Sequence, residues 1–329
     1  MNKWNKFRFG FKLFFIVRKT KALTKKAKYE ARKIDLQYRT DYLVKKIKKV
    51  FKLWKINLVV KGYENLGNGP ALLVANHQDN IDAILILYAL KKQTESREEQ
   101  NKIATFLAKH TLQYNKVSRN ILGSIDTFFL DRNDIKASLE TYQNFGKFIK
   151  ENKTFGVIFP EGTRNREGTI GEFKPGAFKV AKKELLPIIP VTINNSVQGA
   201  NFKRNQALNV EVIFHKKIPA SSLMTQNTFA ISERVYNTVK SAFKSPELPF
   251  VDVEVDEAIL EQSKGAQKWK NQEIKREQKL AKKEQRELKQ EQRLLEAEKR
   301  EDEKYEKYQA KIDKKKQKVV EEMEQRDDQ

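Results

Sequence analysis

The segment Asn76-His77-Gln78-Asp79-Asn80-Ile81-Asp82 joins the end of one apolar run, Ala71 to Ala75, to the start of another, Ile81 to Leu90. The ends of strands in parallel sheets are where such folds place their sites. A five-residue offset across a strand–loop–helix turn can return the Asp82 carboxylate to the His77 imidazole. A carboxylate on one ring nitrogen fixes the tautomer and leaves the other nitrogen to take a proton from a hydroxyl. That is the base and orienter of a triad without a protein nucleophile. The same residues also fit a helix cap beside a polar surface histidine, with Asp79 or Asn80 as the cap.

Phe159-Pro160-Glu161-Gly162-Thr163-Arg164 follows a second apolar run, Phe155 to Phe159. Gly162 permits a tight turn with exposed backbone amides, and Arg164 offers a planar fork suited to a phosphate. Glu161 cannot itself favour a phosphate, so it either positions Arg164 or contacts a hydroxyl. Arg132 ends the run Phe128-Phe129-Leu130-Asp131, where an isolated arginine is ordinarily a solvated charge. His110 and His215, the other two histidines, stand at strand ends beside lysines and have no acid at a matching offset. There is no cysteine, which excludes disulfides, thiolate nucleophiles and zinc–thiolate sites.

Positioning these groups calls for alternating strands and helices. Strands are expected at Ile56 to Val60, Ala71 to Ala75, Phe106 to Ala108, Thr127 to Leu130, Phe155 to Phe159, Ile188 to Ile193 and Val210 to Phe214. Helices are expected near 28–54, over Ile81 to Leu90 and over 134–151. The alternation predicts an α/β fold with a largely parallel sheet flanked by helices. A basic amphipathic helical arm precedes it and a long charged helix follows. The expected domains are an arm over 1–49, a catalytic domain over 50–250, and a charged helical or partly disordered tail over 251–329.

Charge sets the arm and tail apart. Residues 1–50 hold 17 lysines and arginines against 3 acidic residues, within a chain of net charge +23. The arm interleaves Trp4, Phe7, Phe9, Phe11 and the run Leu13 to Val17 with basic residues. That run is far short of the roughly 20 residues needed to cross a bilayer. An aromatic, cationic segment suits the interface plane of an anionic membrane; packing of the same helix on its own domain is the alternative. The tail pairs Glu296 with Arg300 and Glu303 with Lys307 in the favourable order. Tyr305, Ile312 and Val319 recur every seven residues, which allows self-association or a partner helix. The total charge also allows a membrane scaffold or a nucleic-acid-binding protein, but no nucleic-acid fold signature appears, and nucleic acid is not expected as a partner.

In this order the motifs resemble the glycerolipid acyltransferase family typified by bacterial 1-acyl-sn-glycerol-3-phosphate acyltransferase. Residues 76–82 are similar to its histidine–four residues–aspartate block. Arg132 falls where its second block ends in a phosphate-contacting arginine, and residues 159–164 match its third block, with Asn165 where many members have serine. Ile189-Pro190-Val191 resembles the fourth block. Lys109 and Phe173-Lys174-Pro175-Gly176-Ala177 are also similar. The likeness spans roughly residues 50–245; it does not reach the arm or the tail, and residues 109–125 lack the family's usual small apolar run. The resemblance implies that His77 is the general base and Asp82 its orienter. Arg132, Arg164 and Lys174 would hold an acceptor phosphate in a pocket shaped by Glu161, Gly162 and Thr163. The implied reaction moves an acyl group from a coenzyme A or acyl carrier protein thioester to lysophosphatidate, without metal or tightly held cofactor. Glycerol-3-phosphate or another lysophospholipid is the alternative acceptor. The expected location is peripheral or monotopic, on the cytoplasmic face of the cell membrane.

Overall fold

The computed structural model describes residues 14–16, 18–23, 35–96, 98–131, 134–165, 167–201, 204 and 206–247, with single helical positions between 267 and 289. Seven strands form one sheet: β1 (Ile56–Lys61), β2 (Ala71–Ala75), β3 (Ala104–Lys109), β4 (Phe128–Leu130), β5 (Phe155–Ile158), β6 (Ile188–Asn194) and β7 (Leu208–Phe214). Their order is β1-β7-β6-β2-β5-β3-β4. All neighbours are parallel except β6 and β7. The carboxyl ends of β2, β3, β4, β5 and β6 therefore share one rim.

Helices α1 (Leu36–Trp54), α2 (Asp82–Ala89), α3 (Lys116–Gly123), α4 (Ile135–Glu151), α5 (Lys179–Glu184), α6 (Ala220–Met224) and α7 (Thr228–Ser241) complete the fold. Strand β2 shows why two layers are needed: all five of its residues are buried. Ala71, Leu73 and Ala75 join a core with Leu43, Ile47 and Phe51 of α1 and Leu85 and Ile86 of α2. Leu72 and Val74 face the opposite core, with Phe145 and Ile149 of α4 and Ile231, Val235 and Val239 of α7. A strand with two apolar faces is stable only when both are covered. Each fully buried aliphatic side chain contributes roughly 1.5–3 kcal/mol. Gly156 in β5 lets α4 approach closely, since a β-carbon there would lie 2.2 Å from Cδ1 of Ile149.

Helix α1 starts on an Asp35 cap, whose side chain accepts from the Gln37 amide, and it buries one face. From that face Arg39 forms a two-pronged pair with Asp126, at 2.9 and 2.7 Å, and donates to Ser124 O. This ties α1 to the turn that enters β4. Ahead of α1, residues 14–16 and 18–23 are helical. There Ile16, Thr20 and Leu23 are buried, whereas Phe14 and Phe15 are exposed by 58% and 50%. Both readings of the arm thus have residues that fit them. Trp4, Phe7, Phe9, Phe11, Leu13 and Val17 lie outside the described residues.

Helices α3, α5, α6 and α7 have no counterpart among the expected elements. In α7 the signal was readable: Ile231, Val235 and Val239 recur every four residues after an Asn227 cap. The second unit, residues 266–329, shows only exposed helical positions among its described residues, from Gln267 to Lys289. The tail's seven-residue pattern and its Glu296–Arg300 and Glu303–Lys307 pairs lie outside the described residues.

Candidate active site

Asn76 leaves β2 fully buried and clamps its end to β6. Its Nδ2 donates to Ile193 O at 2.9 Å, and its Oδ1 accepts from Ile193 N at 2.8 Å. The next residue, His77, stands at the rim with its side chain 22% exposed. Its Nδ1 lies 2.8 Å from Oδ2 of Asp82, the first residue of α2 and fully buried. The amides of Gln78 and Asp79 donate to the same oxygen at 2.7 and 2.9 Å. Three hydrogens converging on one oxygen fix the carboxylate's rotamer. Because a carboxylate only accepts, Nδ1 carries the ring hydrogen and Nε2 is the acceptor. The ring stacks on Phe159 with centroids 4.2 Å apart, which sets its plane.

Neither Asp79 nor Asn80 is the side-chain cap of α2. The cap position is Ile81, without a side-chain bond, and Asp79 instead accepts from the amides of Ile81 and Ala200. Burial, with the neighbouring Asp82 charge, pushes the Asp79 carboxyl up to about 6; the Arg164 charge opposes this.

Glu161 is buried beside the same loop. Its Oε1 accepts from the His77 amide at 2.6 Å and its Oε2 from the Gly171 amide at 2.8 Å. Both oxygens thus hold backbone, at the His77 and Gly171 amides. Burial, and secondarily the Asp82 charge, raises its carboxyl to about 7 against the pull of those amides. Gly162, at φ 77°, makes the turn that a side chain would strain, and its amide closes it on Phe159 O at 3.0 Å. Arg164 is partly exposed just beyond, and among the described residues its guanidinium enters no ion pair. Thr163 and Lys174 are exposed on the same stretch, and the Lys174 amide donates to Pro160 O at 3.0 Å. Arg132 lies outside the described residues.

Sequence reading missed three supports. The Asn165 amide donates to His77 O at 2.8 Å, Gly171 supplies the second hold on Glu161, and Asp79 pins the loop at 200. Main-chain partners leave no pattern in side-chain identity. His110 acquires an acid that no sequence offset offers. Oδ1 of Asp131, at the end of the adjacent strand, stands 3.5 Å from its Nδ1, too far for a good hydrogen bond. His215 pairs with the Thr192 hydroxyl at 2.8 Å, away from the rim.

The rim can thus take a proton from a hydroxyl at His77 Nε2 and meet an anion at Arg164. The chain matches the Acyltransferase family over residues 57–194, the stretch holding His77, Asp82 and Arg164. It is 29% identical to a probable 1-acyl-sn-glycerol-3-phosphate acyltransferase of Mycoplasma pneumoniae over 214 residues, 60% of this chain and 78% of that one. It is also 29% identical to the protein so described in Mycoplasma genitalium over 216 residues, 61% and 78% of the two chains. Its fold is similar to the crystal structure of the 1-acyl-sn-glycerophosphate acyltransferase of Thermotoga maritima. The TM-score is 0.52 at 20% identity, covering 72% of this chain and 95% of the other.

Proposed function

Because the chain belongs to the glycerolipid acyltransferase family and is an O-acyltransferase, we propose that it acylates the sn-2 hydroxyl of 1-acylglycerol-3-phosphate to give phosphatidate. The donor is an acyl thioester of coenzyme A or acyl carrier protein. The observation that carries this reading is the 2.8 Å His77–Asp82 bond on the rim that also bears Arg164.

In the proposed mechanism Nε2 of His77 takes the proton of the acceptor hydroxyl as its oxygen attacks the thioester carbonyl. Asp82 keeps Nδ1 protonated and stabilises the imidazolium. The tetrahedral intermediate collapses with loss of the thiolate, which recovers the proton from Nε2. No acyl-enzyme forms. General-base assistance of this kind contributes about 10²–10⁴-fold, and holding hydroxyl and thioester together supplies much of the rest. Arg164, Lys174 and Arg132 bind the acceptor phosphate, with Thr163 and the Gly162 turn lining the pocket. Glu161 shapes the pocket by holding the backbone at His77 and Gly171.

The protein works at the cytoplasmic face of the cell membrane. Its proposed association is peripheral or monotopic; no described helix is long and apolar enough to cross a bilayer. Exposed Phe14 and Phe15, flanked by Arg18, Lys19 and Lys21, support this reading through apolar insertion and attraction to anionic lipid.

The test is acyl transfer in anionic vesicles from both donors to 1-acylglycerol-3-phosphate and to glycerol-3-phosphate, side by side. Saturable phosphatidate formation from the first acceptor is expected. A saturable preference for glycerol-3-phosphate contradicts the acceptor assignment.

A further inference from the structure

Loop 165–171 follows Arg164 and is tied at both ends to the His77 strand end. At its start the Asn165 amide holds His77 O, and at its close the Gly171 amide holds Glu161, whose other oxygen holds the His77 amide. Asn165 also braces the interior, accepting from the Glu167 amide at 2.9 Å and reaching the Thr169 hydroxyl at 3.2 Å. Among the described residues the tip, Gly168, enters no such bond. Instead it faces a remote piece of chain: a β-carbon at Gly168 would lie 3.2 Å from Cδ and 3.4 Å from Cγ of Pro246.

Pro246 belongs to the segment 242–247, which leaves α7 and runs along the catalytic rim. Two consecutive asparagines fix that segment. Asn194, the last residue of β6, accepts from the Lys244 amide at 2.9 Å and donates to Ala242 O at 3.0 Å. Asn195 accepts from the Glu247 amide at 3.2 Å and donates to Asn209 O at 2.9 Å. Asn195 sits at φ 60°, a conformation asparagine tolerates better than most residues. Glu211 adds a charged clasp, bonded to the Asn194 amide group at 3.0 Å and paired with Lys244 at 3.3 Å and Lys61 at 2.5 Å. The lysine contacts hold the Glu211 carboxyl down at about 2, so the clasp stays charged across the physiological range.

We propose that residues 242–247 are a strap that positions the phosphate-binding loop, with Asn195 and Pro246 as positioning residues for acceptor binding. The strap holds the tip of a loop whose two ends are already bound to the catalytic strand. It thereby fixes the direction in which Arg164 leaves the site without touching substrate. The kinetic part of this inference rests on the function proposed above.

Two variants test it. Pro246→Ala removes the ring that meets Gly168, and Asn195→Gly accepts the same backbone angle but loses both side-chain bonds. Losing one such bond costs a factor of about 2–10. In Asn195→Gly amide hydrogen exchange across 161–171 should quicken by about that factor, and in Pro246→Ala it should quicken as well. The KM for 1-acylglycerol-3-phosphate should rise by a similar factor. KM for the thioester, kcat and its pH profile should stay as in the wild type. Unchanged exchange in both variants overturns the strap. A joint fall of kcat, both KM-derived affinities and Tm overturns it too, since that is the mark of a general packing contact. A wild type silent toward this acceptor removes the proposed function instead, and the exchange result then decides the strap alone.

Discussion

All three histidines follow strands, and the surroundings of two of them, His77 and His215, give opposite chemistry. His77 follows β2 on the rim where five strands end, and its Nδ1 meets the buried carboxylate of Asp82. His215 follows β7 and is held at the other end of β6, its amide on Pro190 O and its Nε2 on the Thr192 hydroxyl. That hydroxyl spends its one hydrogen on Val239 O at 2.8 Å, so it can only accept from His215. The two rings therefore carry their hydrogens on different nitrogens: Nδ1 in His77, Nε2 in His215. Burial lowers the pKa of His215, and no carboxylate compensates it among the bonds described. What suits His77 to the proposed role of base is the orienting acid at Nδ1, not the strand end.

The largest effect expected from breaking this contrast comes from Asp82→Asn. An amide can face Nδ1 either way round and no longer favours the imidazolium, so kcat should fall by up to about 10⁴-fold with little change in either KM. Steady-state kinetics on a folded variant checks this. Arg164→Lys sharpens the comparison by separating binding from proton transfer. Loss of the planar fork, worth about 1.5–3 kcal/mol for a charged hydrogen bond, should raise the acceptor KM by about 10–100-fold and leave the thioester KM unchanged. His215→Ala should leave kcat within about threefold and act on stability alone. Removing a half-buried bonded group costs about 1–3 kcal/mol, which lowers Tm by about 2–10 °C in a domain of this size. A large kcat loss in this variant would dissolve the distinction between the two sites.

The smallest expected effect is in pH dependence. Glu161, raised from 4.5 to about 7, and Asp79, raised from 3.8 to about 6, hold more protons folded than unfolded between those values. Their contribution to stability is therefore full below about pH 4 and is lost as pH rises through about 6 to 7. Replacing Glu161 by Gln removes its share, so the drop in Tm between pH 5 and pH 8 should be shallower than in the wild type. An equal drop would contradict the direction assigned to Glu161.

The same contrast explains what the amino-acid sequence could disclose. The pairing of His77 with Asp82 was legible because it resides in side-chain type and short spacing. The β2, β5 and β6 strands were legible because both faces of each are apolar. Helix α7 was equally legible, since Ile231, Val235 and Val239 recur every four residues. The reversal of β7 relative to β6 was not legible, because a buried apolar strand looks the same in either direction. Nor were the Glu161, Asn165 and Gly171 contacts, in which main-chain groups from distant positions supply the partner. Asp131 beside His110 shows the same limit, since the acid arrives from a neighbouring strand.

In the proposed reaction His77 draws the proton from a lysophosphatidate hydroxyl as it attacks a thioester. The most direct measurement follows thiol release and phosphatidate formation together, in viable vesicle assays of the wild type and a folded His77→Ala variant. The wild type should release thiol and form phosphatidate in equal amounts, and both should fall by at least about 100-fold in the variant. Equal turnover by the two proteins would contradict it.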